Sequence, residues 1–364
     1  MSTLFFHFDG TDNRPEDAYA PVTTTSSITN VLKSHLLLGG QLNQSTRLTT
    51  SANHKTFYYP GIGTYGHWLE QKFNAAFAIE NGHVAHILNA ALDDFHTHYH
   101  HDIQHIVLIG FSRGAALARR FASLIIPYLE RPIIIEALMD TVASIGWPNL
   151  DSTQRPTTDV VFEHGHTLPT GVSKALHLVA LDEQRLAFRP TLINHDGRVL
   201  ELWFSGVHSD IGGGYRKDGL GDLTLQCMID WIEQQTQQSL YQKAKHIGLP
   251  YWQPLLTLTP NHLGKIHYQQ RSLTTWRNLT LAPRHCCVLI NDQPSNHLAP
   301  NWHPSVQQRI DSELDYSPIA HTPLQPMIAG AESSPRRGQQ PRCQTKNSKS
   351  TSYKNRPTKH QKGG

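Results

Sequence analysis

The sequence has 364 residues, of which 38% are hydrophobic and 17% are charged. This is the composition of an ordinary soluble protein, and it excludes a collagen-like or wholly disordered chain. No stretch approaches the roughly 20 continuous apolar residues that a membrane-spanning helix requires. Single cores rarely grow beyond about 250 to 300 residues, so the length predicts one large domain with appendages or two smaller domains.

Charge is distributed unevenly along the chain. Nine of the 32 basic residues and none of the 29 acidic ones lie in residues 333–364, so this tail carries +9 and the remainder about −6. Such a tail, rich in Ser, Gln, Gly and Pro, cannot bury enough apolar surface to offset its ordering entropy. We therefore predict a disordered basic tail over 331–364. Contact with nucleic acid or anionic lipid is the alternative to a merely solvated tail, and nucleic acid is the less favoured partner.

The amino terminus and the cysteines indicate where the protein is made. Residues 1–8 contain no basic segment, and Asp9 closes their apolar run, so we expect no signal peptide and synthesis in the cytoplasm. Four cysteines are too few for a disulfide scaffold in a chain of this length, and Cys286 and Cys287 are adjacent. No Cys-x-x-Cys pair is present to bind zinc. We expect reduced thiols and no cofactor.

Apolar runs and turn residues alternate in a way that is typical of a doubly wound α/β fold with a mostly parallel sheet. Strands are predicted at residues 4–8, 56–59, 105–109, 133–139 and 199–204. Helices are predicted near residues 68–78, 82–99, 115–126, 173–186 and 223–237. These elements indicate a catalytic domain over 1–240. Residues 241–330 have weak periodicity and form an extension that is a candidate cap.

One five-residue pattern, Gly110-Phe111-Ser112-Arg113-Gly114, follows a buried strand and precedes an Ala-rich helix. The pattern is frequent by chance, but this strand-turn-helix context is that of the nucleophile elbow in α/β-hydrolase-like folds. The flanking glycines permit the sharp turn that exposes the serine hydroxyl. We therefore predict Ser112 as the nucleophile of a serine hydrolase.

A serine nucleophile needs a general base and an acid that orients the base. On this fold they follow the serine in the order acid, histidine. Asp140 follows the next buried strand and His208 follows a later one, so both are expected at the same edge of the sheet. The alternatives are a turn or N-cap role for Asp140 and a structural role for His208, one of 24 histidines.

Backbone amides are predicted to stabilise the oxyanion of the reaction. The amide of Arg113 is one donor, and the turn that contains Gly10 and Thr11 supplies the other; alternatively Gly10 merely permits a tight turn.

Asp9 and Asp210 are supporting candidates. Asp210 competes with Asp140 for the acid's role, but it lies two residues from His208 and suits substrate binding, metal binding or loop ordering better.

Histidines also cluster before the central strand, which raises the question of a metal site. They precede the amino end of that strand, away from the predicted site, so we expect a solvated helix end and no metal. The cluster consists of His96, His98, His100, His101 and His105.

Six sequence blocks, in order from residue 4 to about residue 240, resemble an uncharacterised α/β-hydrolase domain family that includes phospholipase effectors of bacterial type VI secretion. The blocks are Phe8-Asp9-Gly10-Thr11, Tyr59-Pro60-Gly61-Ile62-Gly63-Thr64, Gly110-Phe111-Ser112-Arg113-Gly114-Ala115-Ala116, Asp140-Thr141-Val142, Leu181-Asp182-Glu183 and Trp203-Phe204-Ser205-Gly206-Val207-His208-Ser209-Asp210-Ile211-Gly212-Gly213-Gly214-Tyr215.

The resemblance implies a Ser-Asp-His triad at Ser112, Asp140 and His208 that hydrolyses phospholipid acyl esters. It also implies a membrane surface as substrate, delivery by a type VI system without a signal peptide, and an immunity or secretion-apparatus protein as partner. The basic tail is not a feature of the family that we can place. Two rival hypotheses are a general carboxylesterase acting on soluble esters and a binding protein on a hydrolase fold.

Overall fold

The fold is described from a computed structural model. It describes residues 2–11, 13, 16–17, 26–41, 48–50, 54–62, 76–143, 166–216, 219–246, 252–268 and 281–329. The basic tail and most of the helix predicted over 68–78 lie outside these residues.

Nine strands form one sheet, in the order β13-β12-β8-β7-β6-β5-β1-β4-β3. Every neighbouring pair in this sheet is parallel except β3 with β4. The strands of the described residues are β1 (Ser2–Phe8), β2 (Ser26–Thr29), β3 (Leu48–Thr50), β4 (His54–Tyr59), β5 (Ile103–Phe111), β6 (Ile134–Met139), β7 (Val172–Ala180), β8 (Val199–Phe204), β9 (Gly213–Tyr215), β10 (Leu289–Ile290), β11 (Gln293–Pro294), β12 (Asn301–Trp302) and β13 (Met327–Ile328).

Helices cover both faces of this sheet. They are α1 (Asn30–Leu37), α2 (Ala76–His98), α3 (Arg113–Ile125), α4 (His208–Gly212), α5 (Gly219–Thr236), α6 (Gln253–Leu256) and α7 (Pro304–Ser312). Single 3-10 turns lie at Ile126–Tyr128, Leu186–Phe188 and Ala244–His246. In the described part of the chain, no helix is long and apolar enough to cross a membrane.

The core has two layers because side chains alternate across each strand. In β1, Phe5 packs into a cluster that includes Leu32 of α1 and Met228 of α5. Its neighbour Phe6 packs on the opposite face, into a cluster that includes Phe121 of α3. These layers confirm the predicted doubly wound, mostly parallel α/β sheet.

The strand order creates a reversal point beside the first strand. The chain passes from β1 to β4 on one side and then returns to place β5 on the other side, with β6, β7 and β8 beyond it. In open α/β sheets, ligands bind beyond the carboxyl ends of the strands at such a reversal. The turn after β1 and the turn after β5, which contains Ser112, therefore lie side by side.

The helix predicted over 173–186 is wrong, because residues 172–180 form the central strand β7. The last six residues of this strand, 175–180, are all buried between β6 and β8. A short apolar run that is covered on both faces has no periodicity that separates a strand from a buried helix. Tertiary burial therefore decides the conformation of this segment.

Residues 281–329, which belong to the predicted extension, add two short strands to the same sheet. Trp302 of β12 pairs with Trp203 of β8, and Ile328 of β13 pairs with Trp302. The hydrophobic cluster around these strands also contains Cys286 and Val306. The boundary at residue 240 and the cap over the site stay predictions.

An ionisable side chain lies in the middle of the sheet. Glu136 of β6 is completely buried, and its carboxylate oxygens accept no hydrogen bond from the described residues. Burial raises the pKa of Glu136 to about 7, although the charges of Arg119 and Arg198 act in the opposite direction. The folded protein therefore binds a proton at Glu136 more readily than the unfolded chain does.

This difference predicts a specific pH dependence of stability. Between the ordinary pKa of 4.5 and about 7, Glu136 lowers the free energy of unfolding as the pH rises. Glu136→Gln should remove this contribution, which amounts to about 3 kcal/mol across the interval. Urea unfolding of both proteins at several pH values measures the difference. Glu130→Gln, at an exposed glutamate, is the control, and equal pH slopes for wild type and Glu136→Gln would contradict the prediction.

Candidate active site

Ser112 lies at the sharp turn between β5 and α3. Its backbone has φ 56° and ψ −125°, a left-handed conformation that is costly for a residue with a Cβ atom. The Ser112 amide donates to the carbonyl of Met139 at 3.0 Å, and the Ser112 carbonyl accepts from the Val142 amide at 3.2 Å. The turn is thus bound by its backbone to the end of β6, which keeps the strained conformation in place.

Two glycines allow this turn to pack against neighbouring backbone. A Cβ atom on Gly114 would lie 2.2 Å from the carbonyl oxygen of Phe8 and 2.4 Å from that of Asp9. A Cβ atom on Gly110 would lie 2.5 Å from the Cα of Ala115. Because real Cβ contacts are longer, only glycine permits α3 to start so close to the end of β1.

Asp140 is the first residue after β6, and it also has a positive φ, 43°. Its side chain is completely buried. One oxygen, Oδ1, accepts from the Ala180 amide at 3.0 Å and from Arg284 at 2.6 Å. The other oxygen, Oδ2, lies 2.5 Å from His208 Nδ1 and 2.8 Å from Arg284. The carboxylate is therefore fully hydrogen-bonded without contact to solvent.

The charge state of Asp140 follows from these partners. Burial raises the pKa of the carboxyl, but the Arg284 guanidinium and the hydrogen bond with His208 outweigh burial and lower the pKa well below its usual range. Asp140 is therefore a carboxylate at neutral pH. It can accept a hydrogen bond from the Nδ1–H of His208, which leaves Nε2 of the neutral imidazole as an acceptor.

His208 is the first residue of α4, just beyond the end of β8. Its amide donates to the Glu183 carboxylate at 3.3 Å, and its ring packs against the rings of Phe111 and Phe188, at centroid distances of 4.6 and 4.8 Å. Burial lowers the pKa of His208 below 6.5, against the opposing effect of Asp140. The imidazole is thus neutral at pH 7, as a general base must be.

The structure brings two of the three predicted triad residues into direct contact. Within the described residues, the hydrogen bonds of His208 run to Asp140 and Glu183, and none runs to the Ser112 hydroxyl. Ser112 is linked to the pair through Phe111, the preceding residue, whose ring contacts His208. Hydrogen bonds between nucleophile and base are often loose in proteins without substrate.

The predicted oxyanion donors differ in their availability. The Gly10 amide donates to the Asp9 carboxylate at 2.7 Å, so in this structure it is occupied by a side chain. The Thr11 amide donates to no acceptor among the described residues. Arg113 begins α3, so its amide lies at the amino end of this helix. Of the two predicted donors on the first turn, only the Gly10 amide is bound to an acceptor among the described residues.

Asp9 stabilises the turn that follows β1. Its carboxylate accepts hydrogen bonds from the Thr29 hydroxyl and from the Tyr58 hydroxyl, at 2.8 and 2.7 Å to Oδ2, besides the Gly10 amide. Burial raises the pKa of Asp9 to about 6 despite these three donors. The contacts assign Asp9 to the shape of the turn rather than to His208.

Asp210 contacts His267, and not His208, for which it competed with Asp140 in the sequence analysis. Its Oδ1 lies 2.6 Å from His267 Nδ1, and its Oδ2 accepts from the amides of Val207 and His267 at 2.9 and 3.1 Å. The His267 ring stacks on Tyr215 at a centroid distance of 3.7 Å. Of the proposed roles for Asp210, loop ordering is the one that these contacts fit.

Several residues around His208 were missed by the sequence analysis. Glu183 lies in a quoted sequence block, but nothing in its spacing predicts a contact with the His208 amide. Phe188 and Arg284 lie in segments without periodicity. No cluster of three or more histidines, cysteines or carboxylates suited to a metal ion occurs in the described ranges. This includes the histidines around the end of α2.

A strained serine turn, a buried acid-histidine pair and two glycine-dependent backbone contacts meet at the carboxyl edge of a mostly parallel sheet. Together they define a hydrolase of the α/β-hydrolase type. The family model described as "T6SS, Phospholipase effector Tle1-like, catalytic domain" matches residues 3–128 and 128–231, more than half of the chain. The chain belongs to this family.

Comparisons with solved structures gave similar proteins of low sequence identity. The structure of the Tle1 effector bound to the VgrG spike of the type 6 secretion system is 21% identical, with a TM-score of 0.37, over 59% of this chain and 51% of that chain. An uncharacterised Pseudomonas aeruginosa protein is 17% identical, with a TM-score of 0.39, over 71% and 51%. Mouse alpha/beta hydrolase domain-containing protein 10 is 11% identical, with a TM-score of 0.35, over 64% and 90%.

The chain thus spans about half the length of the first two of these proteins. The search of curated proteins gave no match.

The close approach of α3 to β1 predicts the effect of one added methyl group. Gly114→Ala should force the Ser112 turn away from the end of β1, with a loss of about 1 to 3 kcal/mol in stability and a loss of hydrolase activity. The control is Gly197→Ala, where a Cβ atom meets nothing within 4 Å. Thermal unfolding and an esterase assay on both variants measure the effect. Wild-type stability and activity of Gly114→Ala would disprove this account of the turn.

Proposed function

We propose that the chain is a serine esterase that cleaves acyl ester bonds of phospholipids. Ser112 is the nucleophile, His208 the general base and Asp140 the acid that orients His208. The observation that carries the proposal is the buried contact of 2.5 Å between His208 Nδ1 and Asp140 Oδ2, beside the strained turn of Ser112. A hydrogen-bonded acid-histidine pair next to an activated serine is the arrangement that acyl transfer requires.

The reaction proceeds in two halves. His208 Nε2 takes the hydroxyl proton of Ser112 as the oxygen attacks the acyl carbonyl carbon, and the carbonyl oxygen becomes an oxyanion. The amides of Thr11 and Arg113 stabilise this charge. The carbon-oxygen bond to the lysolipid then breaks, and the leaving oxygen takes the proton from His208. Water repeats the sequence on the acyl-serine and releases the fatty acid.

The electrostatics of the pair suit both halves of this cycle. His208 is neutral before each attack because burial lowers its pKa. Once His208 is protonated, the ionised Asp140 stabilises the imidazolium. The buried positive charge is therefore paired with a negative charge throughout the reaction. A base held in this way typically accelerates acyl transfer by about 10² to 10⁴-fold.

Membership of the phospholipase effector family supports a lipid as the substrate and a type VI secretion system as the route of delivery. We extend the proposal to both. On this proposal the chain is made in the cytoplasm and acts on the membrane of a competing cell. Its partners are a component of the secretion apparatus, by analogy with the Tle1 effector bound to a VgrG spike, and an immunity protein.

The serine assignment is tested by Ser112→Ala. It should lower hydrolysis of phospholipid vesicles by about 10⁴-fold or more, because no other group replaces the attacking oxygen. Ser123→Ala, at an exposed position of the same helix, is the matched control and should keep wild-type activity. Mass spectrometry of the lipid products identifies fatty acid and lysolipid.

Three results of this experiment would each contradict a different part of the proposal. Full activity of Ser112→Ala would refute the nucleophile. Hydrolysis of short-chain soluble esters without hydrolysis of vesicles would replace the phospholipase with a general carboxylesterase. Absence of hydrolysis from the wild-type protein on both substrates would favour a binding protein on a hydrolase fold.

The pKa of His208 predicts the acidic limb of the pH profile. Because burial lowers the pKa of His208 below its ordinary value of 6.5, the midpoint of the acidic fall in kcat/KM should lie below pH 6.5. Steady-state kinetics on a soluble ester from pH 4.5 to 8 measure this limb. An apparent pKa above 6.5 would show that a different group, or a differently placed His208, controls the reaction.

A further inference from the structure

Arg284 lies at the back of the acid-histidine pair. It belongs to residues 281–329, far along the chain from every predicted site residue, and is 4% exposed. Its two terminal nitrogens contact the two oxygens of Asp140, at 2.6 and 2.8 Å. This parallel, two-pronged geometry fixes the plane of a carboxylate, which a single hydrogen bond does not.

The same guanidinium also binds two backbone carbonyls. It donates to the carbonyl of Ala180 at 3.0 Å and to that of Phe188 at 2.5 Å. Ala180 ends β7, and its amide is the one that donates to Asp140. The ring of Phe188 packs edge-on against His208. Arg284 therefore joins the acid, the end of a central strand and the aromatic wall of the base.

The backbone around Arg284 is itself anchored to distant parts of the chain. The Ala282 amide donates to the Gln184 carbonyl at 2.8 Å, and the His321 amide donates to the Arg284 carbonyl at 2.7 Å. The segment after β7 is equally constrained, because Arg185 binds Glu183 at 2.7 Å and lies 3.7 Å from the Phe188 ring centroid. These contacts place the guanidinium in one position before any substrate arrives.

We propose that Arg284 is a positioning residue of the active site, which keeps Asp140 ionised and oriented so that His208 presents Nε2 to Ser112. The inference rests on the proposed function, since it assigns a role within the same triad. Without the guanidinium, this buried carboxylate would have a higher pKa and would lose the two-pronged contact that fixes its plane.

Removal of the positive charge has a predictable sign. Without Arg284, the pair of Asp140 and His208 gains a proton more easily, because one cation fewer opposes it. The apparent pKa of His208 and the acidic limb of kcat/KM therefore move to higher pH, by about one pH unit. A purely structural arginine would change stability and leave both values where they are.

The chain offers a matched arginine for comparison. Arg198 contacts both oxygens of Asp196, at 3.0 and 2.6 Å, and donates to the carbonyls of Pro169 and Val172. It precedes β8, so it lies at the amino edge of the parallel sheet, opposite the site. Its hydrogen-bond pattern equals that of Arg284 in kind, but no residue of the triad takes part.

The experiment compares Arg284→Met, Arg284→Lys and the control Arg198→Met with the wild type. For Arg284→Met we expect kcat on a soluble ester to fall by about 10- to 100-fold, the range seen when hydrogen-bonding partners that orient metal-binding side chains are removed. KM should be unchanged, and the acidic fall in kcat/KM should move to higher pH. Arg284→Lys keeps the positive charge but loses the two-pronged contact with Asp140. It should therefore keep the wild-type pH dependence of kcat/KM at acidic pH and lose about tenfold in kcat. Arg198→Met should lose stability alone.

A spectroscopic measurement separates this inference from the function itself. The downfield NMR resonance of the His208 Nδ1 proton, assigned by its loss in Asp140→Asn, reports the pKa of His208 whether or not the protein hydrolyses esters. The pKa should be higher in Arg284→Met. An inactive wild type with this shift would refute the esterase and keep the role of Arg284. If Arg284→Met is active, with the kcat, the pH dependence of kcat/KM and the His208 pKa of the wild type, the positioning role of Arg284 is overturned and the proposed esterase function stands.

The lysine variant decides the matter if Arg284→Met does not fold. A kcat about tenfold below the wild type, at unchanged KM and melting temperature, supports positioning by the two-pronged contact. A wild-type kcat in Arg284→Lys would overturn it.

Discussion

The buried carboxylate of Asp140 is the interaction on which the site depends. A charge at the end of a central strand, with no access to solvent, is tolerated only when both oxygens are paired. The partners come from three parts of the chain: the end of β7, the start of α4 and residue 284. The carboxylate is fully paired only when the segment around residue 284 has docked against the sheet, so this segment belongs to the candidate site as much as the turn of Ser112 does.

Backbone strain at the carboxyl edge accompanies this pairing. Five residues other than glycine have a positive φ in the described part of the chain, and Ser112 and Asp140 are two of them. Each such residue costs about 1 to 3 kcal/mol, which the surrounding hydrogen bonds offset. The amide of Ser112 binds the last residue of β6, and Asp140 binds β7 through both its amide and its side chain. Ser112 and Asp140 are thus held at the same edge of the sheet.

Much of this arrangement could be predicted from local patterns. Apolar runs closed by turn residues correctly indicated β1, β4, β5, β6 and β8, because buried parallel strands leave that pattern in any sequence. Asp140 and His208 were found because the carboxyl ends of parallel strands share one edge. Their roles in catalysis stay predictions, as does that of Ser112. The segment of β7 was misassigned, since a short run buried on both faces carries no period.

Side-chain contacts over long sequence separations could not be predicted in this way. Arg284 is 144 residues from Asp140, and no periodicity or motif connects them. The pairing of Asp210 with His267 was equally hidden, and it changed the interpretation of Asp210. The Gly10 amide shows the same limit at short range: a glycine after a strand predicts close backbone approach, but not that the neighbouring Asp9 side chain accepts its hydrogen bond.

The most direct test of the central claim is covalent labelling of the resting protein. A fluorophosphonate reacts with a serine only when a base and oxyanion donors activate it. Intact mass spectrometry followed by peptide mapping should show one adduct per chain, on Ser112, and no adduct after His208→Gln. No adduct on the folded wild-type protein, or an adduct on another serine, would contradict the account.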